Sequence, residues 1–161
     1  WLMCFCLCAF ASRCRRCRGN MTSCVFCEEA GGEVLWEDDY CRVVWAYEPD
    51  YPALCRVIWD RHVKEMADLE PAERDRIMKI VFATEQALIA LVQPDKMNLA
   101  SLGNQVPHLH WHVIPRWRDD RHFPNPIWGA DVREAGPRPA VEGAVLHAAF
   151  LRSLAEEQGR K

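Results

Sequence analysis

The sequence predicts an α+β domain, an antiparallel sheet covered by a long helix. Three observations lead there. Short runs of β-branched and aromatic residues recur with turn residues between them. One long segment repeats apolar residues at spacings of three and four. After residue 21 no internal repeat or shift in composition divides the chain, and 161 residues suit one domain with a sizeable core.

Glu33-Val34-Leu35-Trp36-Glu37 reads as a strand, Asp38-Asp39-Tyr40 as a turn, and Cys41-Arg42-Val43-Val44-Trp45-Ala46 as the second strand of a hairpin. Glu48-Pro49-Asp50-Tyr51-Pro52 breaks the chain, and Leu54–Trp59 reads as a third strand. A helix follows from Pro71, a residue suited to a first turn, with Glu70, Glu73 and Asp75 at the positive end of the helix dipole. Ile77, Ile80, Val81, Thr84, Leu88 and Leu91 form its apolar face, and Pro94 closes it. Met97–Leu102 reads as a fourth strand, Gly103-Asn104-Gln105 as a tight connection, and residues 108–114 as a fifth strand. Residues 116–139 carry Pro124, Pro126, Pro137 and Pro139 among many charges and read as a long loop in which His122 is expected to be solvated. A second helix fits about 140–157, with Val141, Val145, Ala148, Leu151 and Leu154 apolar.

The net charge is −3, but Arg13, Arg15, Arg16 and Arg18 sit in the first 20 residues without an acid. Without those four, acids outnumber bases by seven, which argues against a nucleic-acid-coating surface. A small anion held in a local pocket remains compatible. In WLMCFCLCAFASRCRRCRGN the apolar run precedes the arginines, the reverse of a secretory signal, and is too short to span a bilayer. Met21 follows and suits a start. Residues 1–20 are therefore expected to lie outside the fold, against the competing reading of a membrane-seeking tail, and the domain is expected over 21–161. Five of nine cysteines fall in those first 20 residues. The odd total, with one CxxC after residue 20, points away from a disulfide framework and toward a reducing, cytoplasmic setting, and no membrane partner is expected.

Pro107-His108-Leu109-His110-Trp111-His112-Val113-Ile114-Pro115 holds three of the chain's six histidines. On a strand, His108, His110 and His112 point one way, about 6–7 Å apart in succession, and Leu109, Trp111 and Val113 point into the core. Three imidazoles on one open face suit a metal. They equally suit catalysis at phosphorus, in which one neutral imidazole attacks while its neighbours fix its tautomer and donate hydrogen bonds. Cys24-Val25-Phe26-Cys27 has the spacing of half a tetrahedral zinc site; a pair of ordinary cysteines near a frayed N-terminus is the competing reading, and no activating helix supports a redox role.

The pattern HLHWHVI resembles the signature of the histidine triad (HIT) superfamily of nucleotide hydrolases and transferases at every position, and the similarity extends across residues 24–115 through CVFC, RVIWDRHV, the helix from Pro71 and the GNQVP turn. It is most similar to the bacterial diadenosine polyphosphate hydrolase-like branch. The resemblance implies a HIT-like fold of five antiparallel strands with two helices, usually assembled as a homodimer. It implies that His110 is the nucleophile, forming a nucleotidyl-histidine intermediate at the α-phosphate of a small nucleotide substrate. His112 would bond the phosphate oxygens and pass a proton to the leaving group. Asn98, Asn104 and Gln105 would present amides to the phosphate or the nucleophile's ring, and no metal would be required for the chemistry. A HIT-fold protein that binds nucleotides with little activity, and a metalloenzyme using all three histidines, are the competing readings. The chain departs from the family pattern at several points. Asn104 stands where glutamine is usual and Gln105 where a hydroxyl is usual. The stretch from Asn98 to His108 is one residue shorter. Ala46 replaces a ribose-holding acid or amide, and Leu54 replaces another histidine. The resemblance also implies the remaining zinc ligands, His62 and His108 beside Cys24 and Cys27, in a closed structural site.

Overall fold

The structure, a computed structural model, describes residues 24–138 and 140–159. The chain forms α1 (Val25–Glu28), β1 (Glu33–Glu37), β2 (Cys41–Trp45), β3 (Cys55–Trp59), a 3-10 turn (Met66–Asp68), α2 (Pro71–Val92), β4 (Lys96–Ala100), β5 (His110–Arg116) and α3 (Gly143–Gly159). All five strands join one antiparallel sheet in the order β1-β2-β3-β5-β4. The α+β class, the five strands and the two long helices agree with the expectation; the one-turn α1 is additional to it. The expected extension over 1–20 lies outside the described residues.

Strand alternation gives the sheet two different faces. Cys41, Val43, Trp45, Cys55, Val57, Trp59, Leu109 and Val113 point to one side. There they meet Ile77, Ile80, Val81, Ala87 and Leu88 of α2 and Leu146, Ala149, Phe150 and Leu154 of α3. The opposite face carries Arg42, Val44, Arg56, Ile58, His110, His112 and Ile114. It is covered in part by α1, whose Phe26 packs with Val44 and Ile58.

Helix α2 is closed at both ends by its own chemistry. Glu70 and Glu73 form a reciprocal capping box, with the Glu70 N–H donating to Glu73 Oε2 at 2.9 Å, and Pro71 needs no N–H in the first turn. At the far end Gln93 turns left-handed (φ 45°), its N–H bonds the Ile89 carbonyl, and Pro94 prevents continuation.

Strand five starts two residues later than its alternation suggests. His108 donates its N–H to Val106 O within a turn, and Leu109 bonds Val63 O and accepts from Trp59 N–H instead of extending the regular ladder. The strand also runs through Pro115 to Arg116, because pairing with β3 ends at Cys55–Val113 while pairing with β4 continues to Lys96–Arg116. Among the described residues no helix is long and apolar enough to cross a membrane.

Candidate active site and metal centre

The three imidazoles share one side of the sheet but not one environment. They are not on an open face: His108 is 0 %, His110 5 % and His112 9 % exposed. Phe26 covers the first two, its ring edge-on to His108 at 5.9 Å and to His110 at 4.9 Å. Trp128, from the loop after β5, meets His112 edge-on at 4.9 Å. Burial lowers all three histidine pKa values, to about 4 for His108 and about 3 for His112. After burial, His110 and the Arg56 guanidinium further disfavour charge on His112.

Hydrogen bonds fix the tautomers. His110 Nδ1 lies 2.6 Å from the His108 carbonyl oxygen, which only accepts, so His110 carries its proton there. Its Nε2 is therefore unprotonated and accepts a hydrogen bond from His112 Nε2, 3.1 Å away. A neutral imidazole with its Nε2 lone pair exposed to a bound ligand is a competent nucleophile. His112 Nδ1 is buried without a partner among the described residues, so protonating it gains no hydrogen bond in the free protein. An anion bound beside the ring reverses the balance by favouring imidazolium.

His108 is turned away from this pair. Its Nε2 donates to Trp59 O at 2.6 Å, which leaves Nδ1 unprotonated and 3.4 Å from Cys24 Sγ and 3.6 Å from Cys27 Sγ. His62 Nδ1 is 3.4 Å from Cys27 Sγ. The four ligand atoms lie within 4.8 Å of one another. A zinc ion bound by two thiolates and two imidazoles has ligand–ligand edges of about 3.3–3.8 Å, so the set fits with small adjustment. The CxxC is brought together by α1, in which Cys27 and Glu28 both donate their N–H to Cys24 O. Arg42, reaching up from β2, bonds the carbonyls of Phe26, Glu29 and Ala30 and so holds the end of that turn to the sheet.

Of the remaining expected residues, Asn98 stands on the triad face: it pairs with Ile114 as Ala100 pairs with His112. Asn104 and Gln105 lie exposed on the loop before His108, and no described hydrogen bond draws either amide to the imidazoles. His122 is corrected from solvated to buried, with Nδ1 2.7 Å from Tyr51 Oη and Nε2 3.0 Å from Asp131. Phe26, Arg56, Arg116 and Asp120 all adjoin the site without having been singled out. For Arg56 and Arg116 a signal was there, since both have the strand parity of His112. The others come from α1 and a loop, where no periodicity exists to read. A cleft of about 440 Å³ opens along β4, lined by Asn98, Ala100, Ile114, Pro126, Ile127 and Trp128 among others.

A histidine triad protein from Bradyrhizobium japonicum has a solved structure 25% identical to this chain, with a TM-score of 0.62 over 78% of this chain and 92% of that one. One from Marinobacter aquaeolei is 27% identical, with a TM-score of 0.62 over 79% and 91%. A zinc-bound histidine triad family protein from Mycobacterium smegmatis shares the fold at 19% identity, with a TM-score of 0.55 over 86% and 98%. No curated protein matches the chain by sequence. The profile of the HIT domain matches residues 28–119, which hold His62, Asn98 and the whole triad and begin one residue after Cys27; by that match over more than half its length, the chain belongs to the HIT domain family.

Proposed function

We propose that the protein is a nucleotide hydrolase or nucleotidyl transferase acting through a nucleotidyl-histidine intermediate on His110, with diadenosine polyphosphates or related nucleotide phosphoramidates as substrates. One observation supports this most: the His108 carbonyl holds the His110 proton on Nδ1 and leaves Nε2 unprotonated beside His112. The Nε2 lone pair attacks the α-phosphorus, a P–N bond forms, and the bond to the leaving group breaks as His112 passes it a proton. Water then attacks phosphorus and gives a proton back to His112 as the P–N bond breaks, returning His110 neutral. Two easier displacements replace one difficult one. Asn98 donates its amide to a phosphate oxygen, and Asn104 and Gln105 close toward the phosphate when it binds.

The same reading gives Cys24, Cys27, His62 and His108 a structural zinc, whose four protein ligands leave no place for a reacting water. It takes a homodimer as the assembly and the cytoplasm as the compartment, in keeping with Cys24, Cys27, Cys41 and Cys55 all being thiols. His110→Ala and His110→Asn are expected to lose nearly all turnover on a panel of dinucleoside polyphosphates and adenosine phosphoramidate while still binding AMP. Mass spectrometry of a quenched wild-type reaction is expected to find the nucleotidyl adduct on His110. Unchanged hydrolysis in either variant excludes His110 as nucleophile, and AMP binding without turnover in the wild type leaves a nucleotide-binding protein.

A further inference from the structure

We propose that Arg116, held by Asp120, is a positioning residue that fixes the side-chain amide of Asn98 as a hydrogen-bond donor toward the phosphoryl group between Asn98 and His112. The inference rests on the nucleotide reading above and adds to it the device that sets the polarity of one contact. Arg116 Nη1 donates to Asn98 Oδ1 at 2.7 Å. Arg116 Nε and Nη2 grip both oxygens of Asp120 at 2.7 and 3.0 Å, and Nη2 also bonds Asn125 O at 2.9 Å. The pair is 2 % and 0 % exposed. Asp120 in turn accepts the N–H groups of Trp117, His122 and Phe123.

A guanidinium only donates, so the Asn98 oxygen must face it and the NH2 must face away. Four of the five guanidinium donors are spent on Asp120, Asn98 and Asn125, and the charge is neutralised by Asp120. Arg116 is therefore not itself an anion site, and acts through Asn98. Asn98 and His112 are diagonal neighbours across the β4–β5 ladder, about 7–8 Å apart, a gap that a phosphate hydrogen-bonded on both sides spans. An amide free to flip would spend part of its time presenting a carbonyl oxygen to that anion.

A double-mutant cycle tests this with Asn98→Ala, Arg116→Lys and the combination, read as kcat/KM on adenosine phosphoramidate and as AMP affinity. Lysine keeps a positive charge against Asp120 but has no fork to hold both partners. Each single variant is expected to lose about tenfold or more in kcat/KM, and Arg116→Lys less than about twofold once Asn98 is already alanine. Equal cost in both backgrounds overturns the proposal. Should Arg116→Lys not fold, NMR of the wild-type Asn98 side-chain amide decides. One immobile rotamer whose resonances move on adding AMP supports the device, and a rotamer-averaged amide or one unmoved by AMP overturns it. A wild type with neither His110-dependent turnover nor AMP binding removes the function reading and the positioning with it, whereas turnover with additive costs removes the positioning alone.

Discussion

Asp120 is a carboxylate with no exposed surface, four residues beyond its partner Arg116. Burial by itself would raise its pKa, yet the hydrogen bonds from Arg116 and from the N–H groups of His122 and Phe123 outweigh burial and hold it at about 2. A carboxyl that titrates lower in the folded chain than in the unfolded one stabilises the fold fully above its unfolded pKa. That stabilisation drains away as the pH falls through the folded value. Asp120 is therefore expected to contribute about 2–3 kcal/mol that is intact above roughly pH 4 and lost by roughly pH 2. Asp120→Asn should abolish this part of the acid limb and, by stranding a buried guanidinium, cost about 3–5 kcal/mol at neutral pH. Urea unfolding at neutral pH and across the acid range measures both, and an Asp120→Asn protein with wild-type acid sensitivity contradicts the assignment. The exposed ion pairs of Arg61–Glu73 and Arg121–Asp131 have no comparable leverage, because solvent screens them.

Elements differ in how much of themselves they write into sequence. The hairpin, β3, α2 and the triad strand were legible because period two or period 3.6 extends over enough residues to be seen. The alternation in His108–Val113 put the imidazoles on one side and Leu109 and Val113 in the core, as observed. Helix α1 was not legible: four residues show no period, and what holds its end, Arg42, comes from β2. The burial of the triad was missed for the same reason, since Phe26 and Trp128 arrive from segments without repeats. Proline and charge marked residues 117–138 as irregular, although Arg116 closes β5, but composition says nothing of order, which here comes from Arg116 and Asp120. The link from α1 to β1 is equally specific. Gly31 sits at φ 84° and Gly32 at φ 153°, and a Cβ on Gly32 would collide with the carbonyl oxygen of Trp45. Gly32→Ala is expected to cost about 2–4 kcal/mol, from the backbone conformation and the clash together. Thermal unfolding reads this, and a variant as stable as wild type shows that the link is free to move.

At the scale of the whole molecule, the sheet divides the work between its faces. Helices α2 and α3 seal one face as the core, which leaves the other to carry polar and reactive groups without opening the core to water. Among the described residues no long helix lies over that second face, and its cover at one end is the short stretch from Cys24 to Gly32. The cover is fastened at two points, by Arg42 and Arg56 donating to the carbonyls of residues 26, 29, 30 and 31, and by the Cys24, Cys27, His62 and His108 cluster. Zinc in that cluster would bind the folded chain far better than the unfolded one, because only folding brings residues 24, 62 and 108 together. With free zinc about 100-fold above its dissociation constant the gain is about 2.7 kcal/mol. For a domain of this size that corresponds to about 5–10 °C in melting temperature. Chelation should therefore lower the melting temperature by that amount. Cys24→Ser combined with Cys27→Ser should remove both the bound zinc, measured by elemental analysis, and the response to chelator. Turnover per folded molecule should persist after chelation below the melting transition, since His110 and His112 lie outside the ligand set. Activity that vanishes on chelation while the protein stays folded would move the metal from the brace to the chemistry, and a wild type that takes up no zinc when supplied with it would leave the cluster a hydrogen-bonded clasp.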